Sequence, residues 1–197
     1  MAEPVAGILI CGTSHTGKTT LAARIGQAAG CRVIATDDLA RHPGRPWPEV
    51  RAEVAEYYAS LSAETIHWFL KVHHDNMQCQ VHHAIEAARA RRGVFVIEGA
   101  ALRPELYAPL IGQTVIGVCL YVEPDMLRAR ILQASDHARR DPMHRQLIDA
   151  FVERSLRDNA ALNAAAISNG FDRVDAHDSS DVARLAERLI RRLKPAG

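Results

Sequence analysis

Lysine is scarce in this chain. Lys18, Lys71 and Lys194 are the only three, and arginine supplies the rest of the 24 basic residues. Against 23 acidic residues the formal charge is only +1, so no strong field selects nucleic acid or an acidic membrane. Aromatic residues make up 5%, which argues against a stacking groove for single strands. No apolar run approaches the roughly 20 residues of a membrane span. The N-terminus also lacks the basic n-region of a signal peptide. Cys11, Cys31, Cys79 and Cys119 form no C-x-x-C pair, so they read as reduced packing residues of a cytoplasmic protein. Repeats, low-complexity tracts and an interdomain linker are missing too. With 197 residues and 48% hydrophobic content, residues 1–197 read as a single domain with a sizeable core.

What is present is an alternation of short apolar runs and longer helical patterns. "VAGILIC", "CRVIAT", "VFVIEG", "TVIGVCLYV" and "FDRVDA" read as five strands. Helices are expected over "KTTLAARIGQAAG", from about Pro48 to Ser60, from Ser62 as N-cap to about Arg92, from Pro124, over roughly Gln146 to Ser168, and over "SSDVARLAERLIRRL". "RHPGRPWP", with three prolines and a glycine, reads as an irregular loop. Strands separated by helices imply βαβ units and a mostly parallel sheet covered on both faces. Ligands of such sheets collect at the carboxyl ends of the strands. Gly12 to Thr20, Asp37, Asp38 and Glu98 all fall at that edge.

The rarest side chain stands at the most specific motif. Gly12-x-x-x-x-Gly17-Lys18-Thr19 fits a phosphate-binding loop in full, after a buried strand and before a helix. Backbone N–H groups of Ser14, His15, Thr16, Gly17 and Thr20 can surround phosphate oxygens, with the helix dipole behind them. Gly12 and Gly17 allow the unusual dihedrals and the close approach. Lys18 reaches the β- and γ-phosphates, and the Thr19 hydroxyl ligates Mg²⁺.

Asp37 and Asp38 end the second strand. Adjacent carboxylates repel, and a Mg²⁺ ion with Lys18 would favour their ionisation. One can take a proton from an attacking hydroxyl while the other holds the metal or its waters. The same residues also suit a helix N-cap and first turn. Glu98 follows four apolar strand residues, a poor place for packing and a good one for orienting a metal-bound water or an acceptor hydroxyl.

"RARILQASDHARRDPMHR" sets Arg128, Arg130, Arg139, Arg140 and Arg145 around a break in the helical pattern. This suits a lid at about 130–146 whose arginines, Arg130 and Arg139 among them, offset charge on the transferring phosphate. A solvated charged face is the plain alternative. Arg41, His42, Arg45, Trp47 and Arg103 are candidates for the acceptor site, and suggest a polar or anionic acceptor. His67, His74 and His82 share a face with Lys71 and Gln78, but at about 11 Å spacing along a helix they cannot share one metal. His73 lies on the stripe of Ile66, Phe69, Met77 and Val81 and is expected in the core.

"GTSHTGKTTLA", "VIATDDLARHPGRP" and "VIEGAALRPELY" resemble segments of the P-loop small-molecule kinases related to nucleoside monophosphate kinases, nicotinamide riboside kinase and uridine kinase among them. "VIEGAALRPE" is similar to proteins described as 2-phosphoglycerate kinase, and a single aspartate after strand two is shared with chloramphenicol phosphotransferase. The resemblance implies a P-loop NTPase three-layer sandwich with a five-stranded parallel sheet, order 2-3-1-4-5, and a lid after strand four. It implies Asp37 as the base, Asp38 in support, and the loop His177 to Ser179 near adenine. The "ARHPGRPWP" loop and the histidine-bearing helix depart from the nucleoside kinases, so the resemblance carries over the donor and not the acceptor.

The reading is a Mg²⁺-ATP-dependent kinase acting on a small-molecule hydroxyl, as a monomer or homodimer, with neither nucleic acid nor a membrane as partner. Nucleotide phosphates fall to the loop with Arg130, Arg139 and His177; the metal to Thr19 and Asp38; catalysis to Lys18, Asp37, Asp38 and Glu98; the acceptor to Asp37, Arg41, Arg45, Glu98 and Arg103. A regulatory nucleotide switch is the alternative. It is disfavoured because no Asn-Lys-x-Asp guanine motif and no Asp-x-x-Gly switch segment are evident.

Overall fold

A computed structural model describes residues 5–42, 44–91, 93–112 and 114–193. Lys194, and Arg92 as the expected helix end, lie outside the described residues. Five strands, β1 (Gly7–Cys11), β2 (Val33–Ala35), β3 (Phe95–Glu98), β4 (Val115–Tyr121) and β5 (Asp172–Asp175), form one all-parallel sheet. Its order is β2-β3-β1-β4-β5, as the resemblance implied. β1, β3 and nearly all of β4 are buried, which is why their sequences run apolar without alternation. β5 is an exposed edge and reads accordingly, Asp-Arg-Val-Asp.

Helices α1 (Lys18–Ala29), α2 (Ala52–Ser60), α3 (Ala63–Asn76), α4 (Gln78–Ala90), the single turn α5 (Pro104–Tyr107), α6 (Pro124–Ala134), α7 (Pro142–Ser168) and α8 (Ser179–Leu193) surround it. The core divides between the two sheet faces. Ile8, Ile10 and Val118 pack with α1, α2, α7 and α8 on one side. Leu9, Cys11, Ile97 and Cys119 pack with α4 and α5 on the other. Among the described residues, no helix is long and apolar enough to cross a membrane.

Four expectations change at this level. The helix expected from Pro48 begins at Ala52, because the Pro-rich segment before it is held by Trp47, whose ring lies 4.8 Å from Phe151. The helix from Ser62 does start there, with the Ser62 hydroxyl accepting from Thr65 N–H. It does not continue unbroken, however: Met77 N–H is shared between the His73 and His74 carbonyls, and α4 restarts at Gln78. No glycine or proline marks that break, so periodicity could not reveal it. The long helix α7 starts at Pro142 rather than Gln146, because Asp141 caps it through His144 N–H and Pro142 suits the first turn. Lastly, the break between α6 and α7 spans only residues 135–141, containing a 3₁₀ turn at His137–Arg139.

Candidate active site

The loop between β1 and α1 has the conformation its glycines allow. Gly12 takes φ 149°, and a Cβ there would lie 2.7 Å from the Leu120 carbonyl and from Thr16 Oγ1. Gly17, at φ 89°, is the N-cap of α1 and faces open space. His15 accepts a positive φ of 65°. Thr13 is the anchor: its carbonyl receives Thr16 Oγ1 at 2.9 Å and Lys18 Nζ at 2.8 Å. Burial pulls the Lys18 ammonium below the ordinary lysine value, and the charges of Glu98, Asp37 and Asp158 oppose that fall. Helix α1 begins with no side-chain cap and no acid in its first turn. An anion is therefore the partner its N-terminal N–H groups lack.

The sheet brings the acids to this loop. Ala35 of β2 is in register with Glu98 of β3, and Glu98 with Ile10 of β1. Gly99 lets the strand end close against the next turn, since a Cβ there would meet Thr36 Oγ1 at 1.7 Å. Glu98 is 5% exposed, and its Oε1 accepts from the Thr19 hydroxyl at 2.9 Å. Asp37 reaches the same cleft from the 3₁₀ turn Thr36–Asp38. His42 Nε2 stands 3.6 Å from Asp37 Oδ2 and holds that carboxyl below its ordinary pKa. Asp38 points elsewhere, into an outer depression with Arg41 and Arg51. Successive residues of a 3₁₀ turn diverge by a third of a revolution, so only one of the pair can face Thr19. Thr19, Glu98 and Asp37 supply hard oxygen donors, which suits Mg²⁺, an ion that takes one or two carboxylates and fills its octahedron with phosphate and water.

The cleft they line holds about 260 Å³. One end is the phosphate loop, with Ser14, His15, Gly17, Lys18, Thr19 and Thr20. The other end is made by Leu70, His73, His74 and Met77 from the α3–α4 junction, Arg45 and Gly44 from the irregular loop, and Phe151 and Arg154 from α7. His73 is thus a half-buried wall of the cleft. Its neighbour His74 takes the core position, 3% exposed, because it lies two i,i+4 steps along α3 from the buried Ile66. Burial keeps both His15 and His74 neutral, their pKa values lowered to about 4 and about 3.

A family model described as an AAA domain matches residues 8–154. The chain belongs to that AAA domain family. The match spans all of the loop, acids and cleft walls named above. Among solved structures the chain is similar to a gluconokinase from Sinorhizobium meliloti 1021, with 19% identity, TM-score 0.51, and 98% of this chain and 100% of that one covered. It is similar to a deoxyadenosine kinase from M. mycoides with bound dATP, with 18% identity, TM-score 0.51, and 95% and 98% covered. A tRNA delta(2)-isopentenylpyrophosphate transferase from Staphylococcus epidermidis reaches TM-score 0.54 at 9% identity, with 97% and 99% covered. At these identities the likeness is one of fold, the fold of P-loop kinases. A comparison with curated proteins returns no match.

Several expected site residues are engaged elsewhere. Arg103 is 1% exposed and bonds Asp158 at 3.0 Å and Glu105 at 2.8 Å, outside the cleft. Each lid arginine has a protein partner. Arg128 pairs with Glu153, and Arg139 with Asp136. Arg140 donates to the Ser135 and Pro48 carbonyls, and Arg145 to those of Arg140 and Ala138. Arg130 ties the His15 carbonyl of the phosphate loop to that of Ala176 after β5. His177 is exposed and its N–H bonds Asp175. Trp47 is 8% exposed and packs against His15 and Phe151 rather than lining the cleft.

Arg154 is the cleft residue that sequence reading missed. A signal existed. The buried face of α7 runs Leu147, Ile148, Phe151, Val152, then Arg154, Ser155, Asp158 and Asn159, then Leu162 and Ala166. A polar block on an otherwise apolar helical stripe marks either a buried network or a pocket. Here it is both: Asp158 serves the network and Arg154 the pocket.

Proposed function

We propose that this protein transfers the γ-phosphoryl group of ATP to a hydroxyl of a small polar metabolite. One observation carries the reading: the phosphate loop and the Asp37 carboxylate line the same cleft, and that cleft continues past them into a second, separately built wall. A nucleotide switch has no use for that second wall.

Loop N–H groups, the α1 N-terminus and Lys18 hold the nucleotide phosphates. Asp37, kept ionised by His42, accepts the acceptor's proton. The freed oxygen attacks the γ-phosphorus from the acceptor end, the bond to the β–γ bridging oxygen breaks, and ADP departs with that electron pair. Thr19 and Glu98 would hold Mg²⁺, directly or through water, and the ion neutralises charge on the phosphate oxygens. Positioning supplies most of the rate, as in phosphoryl transfer generally.

The test is a panel of alcohols with labelled ATP, including nucleosides, glycerate derivatives and aminocyclitols. Slow hydrolysis alone and fast transfer with one acceptor class is the expected result. Absence of Mg²⁺-dependent ATP or GTP binding by the folded chain would overturn the reading.

A further inference from the structure

The acceptor end of the cleft has an unbalanced charge. Arg154 is 7% exposed. Its guanidinium lies over the Phe151 ring, 4.3 Å from the centroid. Among the described residues it has no ion pair and no hydrogen-bond acceptor, whereas Arg103, buried as deeply, has two carboxylates. The acid one turn along α7, Asp158, receives Arg103 on Oδ1, and Arg154 acts on it through charge alone, with no bond between them. Arg45 approaches the same end from the irregular loop. It too is without an ion pair among the described residues, and its one ring contact is 6.0 Å from the Trp47 centroid. The acids of the cleft, Glu98 and Asp37, pair with Thr19 and His42 and with neither arginine, although Arg45's charge reaches Asp37.

Arg154 also sits on a boundary. A second hollow of about 190 Å³ opens beside the cleft, between α2 and α3. His42, Gly44, Leu70, His73 and Arg154 line both spaces, while Tyr57, Tyr58, Ile66 and Phe69 line only the hollow. No residue of the phosphate loop lines it. Arg154 therefore borders both the cleft that the phosphate loop lines, where its charge reaches His15, and an apolar and aromatic compartment that the loop does not line. A buried guanidinium with a stack on one face and open donors asks for a planar or tetrahedral oxyanion.

We infer that the acceptor is a hydroxylated small acid whose carboxylate or phosphate binds Arg154, with Arg45 closing on it and the carbon frame lying against Leu70 and the tyrosine-lined hollow. This rests on the phosphotransferase reading and narrows its substrate class. The anion anchors the molecule at one end and leaves a hydroxyl near Asp37 at the other. A neutral polyol of the same shape would leave the guanidinium desolvated without a partner, so the site rejects it.

The experiment uses the full chain saturated with Mg²⁺ and a nonhydrolysable ATP analogue, so that the phosphate loop is filled. Calorimetry then compares glycerate, glycerol 3-phosphate and glycerol, and quinate, inositol 1-phosphate and inositol. At least one acid should bind tenfold or more tightly than its neutral counterpart; the two kinds of acid tell a carboxylate site from a phosphate site. Arg154→Met, whose thermal midpoint verifies folding, should weaken that acid at least tenfold and the nucleotide analogue far less, and Arg154→Lys should recover part of the loss. Equal binding of acids and polyols, or no anion binding at all, overturns the inference, as does an Arg154→Met effect falling equally on the analogue. If the analogue itself fails to bind, the phosphotransferase reading falls first; if it binds and polyols accept phosphate as well as acids do, only the present inference falls.

Discussion

Arg103 and Arg154 are both withdrawn from water, at 1% and 7% exposure, yet their surroundings are opposite. Arg103 is held by two carboxylates and lies outside the cleft. Arg154 has an aromatic face and free donors on a cleft wall. The same contrast separates the two ends of the cleft. At the phosphate loop the hydrogen bonds close locally, Thr13 with Thr16 and Lys18, Thr19 with Glu98. At the other end residues from three segments meet, and Arg45 and Arg154 have no ion pair there among the described residues. The lesson is that burial of a charge does not distinguish structure from function; the presence or absence of its partner does.

The strongest way to break this comparison is at the loop. Lys18→Met should cut phosphoryl transfer by roughly 10³-fold, with the unfolding midpoint of the free protein close to wild type. A loss below tenfold would mean the loop is not where the phosphates bind. Asp37→Asn should lower kcat by about 10²-fold or more while ATP affinity holds, read from single-turnover kinetics; full activity with the true acceptor would remove Asp37 as the base.

The two arginines are compared by stability. Arg103→Met leaves Asp158 charged, buried and unpaired, and should cost about 3–5 kcal/mol in denaturant unfolding. Arg154→Met removes a cation without orphaning an anion. It should cost less than Arg103→Met, since the lost stack on Phe151 and the lost charge near Asp158 are offset by a desolvation no longer needed and no bond to Asp158 is broken. Equal costs would erase the distinction.

Two smaller effects depend on pH. His74 is neutral in the fold, with its pKa lowered to about 3 by burial, and titrates near 6.5 once unfolded. Its stabilisation is complete above pH 6.5 and lost as pH falls towards 3, because the unfolded chain takes the proton first. His15, lowered to about 4, adds the same sign. Stability should therefore drop by up to about 2 kcal/mol for His74 between pH 7 and 5, with a smaller, solvent-screened share from the half-buried His15, and His74→Leu should flatten that slope. Finally, His42→Ala should move the acidic limb of the kcat/KM profile upward, because the Asp37 carboxyl loses the neighbour that holds it low. An unmoved limb would separate the pair.

Much of the loop end was legible in the chain. Gly12, Gly17, Lys18 and Thr19 are contiguous, and their geometry follows from local dihedrals and one strand–helix junction. The strand order followed from the resemblance. Glu98 was found because a carboxylate ending an apolar strand is conspicuous. The acceptor end was not legible to the same degree. His74 and not His73 is buried because the buried line of α3 runs Ile66–His74 and leaves Phe69 exposed, a choice the helical pattern of apolar residues leaves open. Asp38 gave way to Glu98 beside Thr19 because the turn can direct only one of two adjacent acids inward.

By itself the sequence determined the phosphate loop, the parallel β-α succession and the acids at the sheet's carboxyl edge, since these are set by neighbouring residues and by periodicity. Only the tertiary structure decided which arginine is free. Arg103 is neutralised by an aspartate 55 positions away, and Arg154, one helical turn from that aspartate, lies against Phe151 instead of bonding it. A charge's partner is a matter of distance in space, and for these two residues no local rule encodes it.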